Sequence, residues 1–115
     1  MAIIGSYERH TDLGCEAVVF LDEESDACFQ LQRDLPGSPR AGEYCITTGA
    51  SAPVFAGVQA WRRVGADRFE FALVPQAARL FGDEVVSFAL AADSDTDIDE
   101  LAGHVERLLG MDRLP

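Results

Sequence analysis

Ile98, Leu101, Ala102, Val105, Leu108 and Leu109 recur at i, i+3, i+4, i+7, i+10 and i+11, which sets all six on one face of an α-helix. Such a face is stable only against a matching apolar surface, and the preceding chain supplies one of a different period. Phe69, Phe71 and Leu73 alternate with Glu70 and Ala72, as one side of a half-buried antiparallel strand does. The change of period predicts an α+β domain: a mostly antiparallel β-sheet with a short helix and a C-terminal amphipathic helix packed on one face. Asp95, Thr96 and Asp97 are the candidate N-caps of that last helix, Asp97 and Glu100 are spaced as a capping box, and Gly110 is the C-cap candidate.

Further strands read over 15–22, 27–35 and 43–48, with a polar connection of hairpin length, EESD, between the first two. The clearest loop is PGSPRAG at 36–42, with two Pro and two Gly in seven residues. Residues 54–64 read as one strand in which Gly57 marks a bulge or a close backbone approach. Pro75 and Gly82 bracket a helix of about two turns, and 84–92 returns to strand. No repeat, low-complexity tract or dividing linker interrupts the 115 residues, so a single domain over 1–115 is expected.

Charge narrows the partners. The formal net charge is −11, and all nine basic residues are Arg. That balance opposes direct binding to nucleic-acid phosphates or to an anionic membrane surface; it permits cationic partners, and plain solubility accounts for it equally well. No apolar run is longer than that from Ala17 to Leu21, which is far shorter than a membrane helix. The start, MAIIGSYERH, has no basic leader, long apolar core or small-residue cleavage site, so a cytoplasmic protein is expected.

Motifs for catalysis or cofactors are weak. Asp93, Asp95 and Asp97 occupy positions 1, 3 and 5 of a calcium loop, but Ile98 stands where the turn needs Gly and His104 where a bidentate Glu is needed. Ser51 in GASAP departs from the nucleophile elbow at Pro53 and is followed by a strand signal. His10 and Cys15 form the other conceivable pair, with Asp12 and Glu16 nearby working against a lowered thiol pKa. Cys15, Cys28 and Cys45 contain no C-x-x-C pair and read as small buried hydrophobes. No phosphate-binding glycine loop occurs. The expectation is no enzyme activity, no cofactor and no metal.

A binding role is what remains. Asp22, Glu23, Glu24 and Asp26 group at the tip of the first hairpin, and 80–106 holds eight acids with no Lys or Arg. Helix capping and solvation account for part of the second group. Asp22, Glu23, Glu24, Asp26, Asp93 and Asp95 are therefore the candidate partner-binding residues. The ordered segments VFAGVQAW, DRFEFALVPQAARLFG and EVVSFALAADSDTDIDELAGHVERLLG, together spanning 54–110, resemble the immunity protein 10 family of bacterial polymorphic toxin systems. Phe55-Ala56-Gly57 departs from the paired glycines that the family often carries after an aromatic. The resemblance implies a cytoplasmic antidote that binds and neutralises a cognate protein toxin, and many such toxins cut nucleic acids through basic clefts. A monomer or weak homodimer is expected. The alternative is a small acidic secretion-type chaperone or adaptor that holds a client segment as a dimer.

Overall fold

The computed structural model describes residues 3–25, 27–35, 44–48, 52–65, 67–91 and 97–110. Chain order is β1 (Ile3–His10), β2 (Cys15–Asp22), β3 (Cys28–Asp34), β4 (Cys45–Thr47), β5 (Val54–Phe55), β6 (Val58–Val64), β7 (Arg68–Leu73), α1 (Pro75–Phe81), β8 (Val85–Ala89) and α2 (Ile98–Leu109). The class is α+β, and each of these strands pairs antiparallel with its neighbours. The strands form two meanders, β1 to β5 and β6 to β8. A parallel bridge from Ile3 to Leu90 links the edge of one sheet to the end of the other. The loop read over 36–42 lies outside the described residues.

The stretch 54–64 is not one strand. It leaves the first sheet after Phe55 and enters the second at Val58. The crossing is made by Ala56, at φ 52°, and by Gly57, where a Cβ would sit 2.7 Å from Ile46 Cδ1 and 2.8 Å from its Cγ1. Gly57 thus serves close backbone approach, while the register shift lies just beyond it, between Val58 and Ala60. Tyr44 fastens the crossing, its hydroxyl donating to the Val58 carbonyl at 3.0 Å and accepting from the Val58 N–H at 3.1 Å.

Register explains where the core sits. Residues paired across an antiparallel ladder share a face, so Gly5, Phe20 and Phe29 line one row and Tyr7, Val18, Leu31 and Ile46 the next. Against these rows pack the inward residues of the second sheet, Trp61, Phe69, Phe71 and Phe88, and the apolar stripe of α2. Ring centroids of Phe20 and Phe88 stack at 4.9 Å and those of Phe29 and Phe71 at 5.1 Å. Gly5 makes room for α2: a Cβ there would lie 2.6 Å from Leu101 Cδ2.

Both helices end as their glycines require. Gly82 and Gly110 adopt φ 82° and 68°, and each donates its N–H to a carbonyl of the last turn. Pro75 opens α1 at a position whose N–H needs no helical partner. The start of α2 differs from the capping-box reading: Asp97 is the N-cap residue, but its side chain makes no capping hydrogen bond. Asp99 is drawn instead to Arg63 on β6, at 2.7 Å. The stripe itself is as spaced: Leu101, Ala102, Val105, Leu108 and Leu109 are buried, with Ile98 packed at the margin.

Candidate functional site

Asp22, Glu23 and Glu24 occupy the turn between β2 and β3, with Glu23 and Glu24 exposed. Asp22 is half-buried and holds the turn together, because its Oδ1 accepts the Glu24 N–H at 3.0 Å. This Asx turn helps reverse the chain. Asp22 pairs with Ile3 in the β1–β2 register. Ile3 in turn bridges Leu90, and its carbonyl accepts the Ala91 N–H at 2.9 Å. The acidic turn and the exit of β8 at Leu90 and Ala91 therefore meet at one end of the molecule. Asp26, Asp93 and Asp95 lie outside the described residues. Of the other acids of 80–106, Asp83 and Glu84 sit in the α1–β8 turn and Asp99 is engaged by Arg63.

A second constellation has no counterpart among the sequence candidates. Glu16 is 3% exposed, the one buried charged residue among those described. Tyr7 donates to its Oε1 at 2.7 Å, and Arg107 of α2 reaches both carboxylate oxygens, at 2.8 and 2.9 Å. His104 lies flat on Tyr7, with ring centroids 3.7 Å apart, and its Nδ1 is 2.9 Å from Arg107 Nη2. Arginine only donates, so this contact requires Nδ1 to be unprotonated. Arg33 donates to the Leu108 carbonyl at 3.2 Å, satisfying an otherwise orphaned group at the end of α2.

The chemistry of this cluster is that of a clasp. Burial pushes the Glu16 carboxyl up, but the hydrogen bonds from Tyr7 and Arg107, with the charges of Arg107 and Arg9, outweigh it and lower the pKa. Burial and the bond to Glu16 raise the Tyr7 phenol. Glu16 is thus held ionised with its lone pairs occupied, which makes it a poor general base. The four side chains fasten α2 across β1 and β2.

This clasp predicts how stability depends on pH. Burial, then Arg107, depresses His104 below its ordinary 6.5, against opposing pulls from Glu16 and Glu100. A group with a depressed folded pKa favours folding above its unfolded pKa and loses that contribution as pH falls through the folded value. His104 therefore withdraws support as pH drops below 6.5, and Glu16 does so below 4.5. The urea midpoint should fall in two stages, and His104→Phe, which keeps the stack on Tyr7, should remove the upper one. A wild-type midpoint that stays constant from about pH 7 to pH 5 would contradict the assignment.

The remaining sequence candidates separate cleanly. His10 does stand opposite Cys15 in the β1–β2 register, yet burial, Asp34 and Asp12 raise the Cys15 thiol. Cys28 and Cys45 are raised chiefly by burial as well. All three are free; Cys15 is buried and the other two half-buried. Ser51 lies outside the described residues. Among the described residues, no group of three His, Cys, Asp or Glu side chains is placed to hold a metal ion, and no helix is long and apolar enough to cross a membrane.

No protein-family model, curated protein or solved structure matches the chain.

Proposed function

We propose that this chain is an immunity protein that binds a cognate bacterial toxin domain and neutralises it without catalysis of its own. The reading is supported by the family resemblance of 54–110 and by a net charge of −11. The observation that carries it is the place of the acidic β2–β3 turn beside the exit of β8. The exposed Glu23 and Glu24, the turn-forming Asp22, and the exit of β8 at Leu90 and Ala91 share one end. An acidic end of this kind attracts a basic cleft at long range and speeds encounter, while contacts formed after docking set dissociation.

The reading calls for a toxin domain encoded beside this chain, and such a domain is the partner to test. Asp22→Asn, Glu23→Gln and Glu24→Gln together preserve shape and keep the Asx-turn acceptor while removing three charges. In stopped-flow mixing with that domain, the triple variant should associate roughly tenfold more slowly at low salt, with dissociation little changed. The wild-type association rate should fall steeply as salt rises. A triple variant that associates at the wild-type rate, with a flat salt dependence, would sink the proposal for this surface. A tight homodimer that captures only unfolded segments would favour a chaperone instead.

A further inference from the structure

Among the described residues, strand β8 is paired on one side only. The Glu84 carbonyl accepts the Leu73 N–H at 2.8 Å, and the Leu90 N–H donates to the Asp67 carbonyl at 2.8 Å. Even-numbered residues of this stretch therefore turn their backbone groups toward β7. By the alternation of an antiparallel ladder, Val85, Ser87 and Ala89 turn theirs away from it. Ala91 continues the series, and its N–H is the one taken by Ile3. Because β1 begins there, no strand among the described residues lines β8 ahead of that point.

Natural edge strands are usually blunted by Lys, Pro, a bulge or an inward charge. Val85–Ala89 has none of these. Its outward-facing side chains are exposed, Val85 at 52%. Beside it, Gln59, Ala72, Leu73, Pro75, Ala78 and Glu84 line a depression that Val85 shares, a place for a side chain of an added strand. The flanks are acidic: Asp83 and Glu84 at the start, offset in part by Arg79, and the Asp22–Glu24 turn beyond Ile3 at the far end.

These features select the occupant. Two copies paired antiparallel about Ser87 would set Asp83 and Glu84 of one against the Asp22–Glu24 end of the other, and each chain carries −11. An extended strand with basic residues at its ends meets no such opposition. We propose that the open edge of β8 receives a basic-flanked strand of the protein partner by β-augmentation. The identity of that partner as a toxin rests on the function proposed above; the edge itself does not.

The test follows backbone amide exchange of the whole chain by NMR with a short peptide of alternating Thr and Val carrying Arg at both ends. Saturating peptide should slow exchange at Val85, Ser87 and Ala89 by about tenfold or more, and a peptide with Glu at both ends should not. Ser87→Pro removes one outward N–H without touching the ladder to β7, so it should fold and lose the effect at Val85 and Ala89. Should that variant not fold, Ser87→Lys keeps the backbone and should weaken the same peptide by its charge. Unchanged exchange at all three amides in saturating Arg-flanked peptide would overturn the inference. So would protection in the chain alone that grows with its concentration, which would mean a second copy. If a cognate toxin domain binds and leaves these amides unprotected, the edge inference fails and the immunity reading stands. If the peptide protects them and that domain does not bind, the reverse holds.

Discussion

Replacing Phe71 with Ala should remove roughly 3–5 kcal/mol of stability, the range for truncating a fully buried aromatic. Phe71 is 0% exposed on the middle strand of the second sheet. Its ring lies 5.1 to 6.3 Å from those of Phe29, Phe20, Phe88 and Trp61, so it joins β2 and β3 of one sheet to β6 and β8 of the other. No neighbour can collapse into the space without abandoning a contact of its own. A domain of this size has about 5–15 kcal/mol in total, so a large share of the molecules would unfold on mild warming. Phe55→Ala is the control. Phe55 is 59% exposed, and the same change there should cost well under about 1 kcal/mol. Urea unfolding of both variants measures the contrast, and equal losses would refute the packing described.

The second large effect is expected at Arg107. Arg107→Leu strands the Glu16 carboxylate, 3% exposed, with Tyr7 as its remaining hydrogen-bond partner in the clasp. Breaking a buried pair on one side costs about 3–5 kcal/mol. Here the arginine side chain is 50% exposed, so water reaches the site and roughly 2–3 kcal/mol is the better expectation. Glu16→Leu combined with Arg107→Leu should recover most of that loss, because replacing both members of a buried pair by apolar groups is often near neutral. The double-mutant cycle in urea decides it. Additive losses would mean that the two side chains stabilise the fold independently and that no clasp exists.

Local features of this fold are legible in the sequence, and long-range ones are not. The α2 stripe, the Pro75–Gly82 bracket and the alternation at Phe69, Phe71 and Leu73 depend on spacing within a few residues, and all three hold. Spacing does not reveal β1, because its inward residues include Gly5 and Tyr7 rather than an aliphatic row. Those positions make sense only once Leu101 and His104 have packed onto them. The break at Ala56 and Gly57 is hidden for a similar reason, since the close contact that requires Gly57 is with Ile46 on a neighbouring strand.

The clasp joins residues 91 positions apart, Glu16 and Arg107, beyond the reach of any periodicity. A partial signal does exist. Glu16 shares strand parity with Val18 and Phe20, so a carboxylate is bound for the inner face and needs a cation. For the acidic residues, clustering in the sequence identifies Asp22, Glu23 and Glu24 but not the turn-forming duty of Asp22. It also groups Asp99 with the free acids, although Arg63 engages it.

The most direct measurement compares two variants for protection of bacteria that express the cognate toxin domain required by the proposed function. One is the paired Glu16→Leu and Arg107→Leu chain, in which the clasp is replaced by apolar packing. The other is the Asp22→Asn, Glu23→Gln, Glu24→Gln chain, in which only surface charge is changed. If the clasp is structural and the acidic end meets the toxin, the first should protect as wild type does, and the second should protect poorly despite normal folding. Full protection by the charge variant together with none from the folded clasp variant would contradict that view and place the functional surface at Tyr7, Glu16, His104 and Arg107.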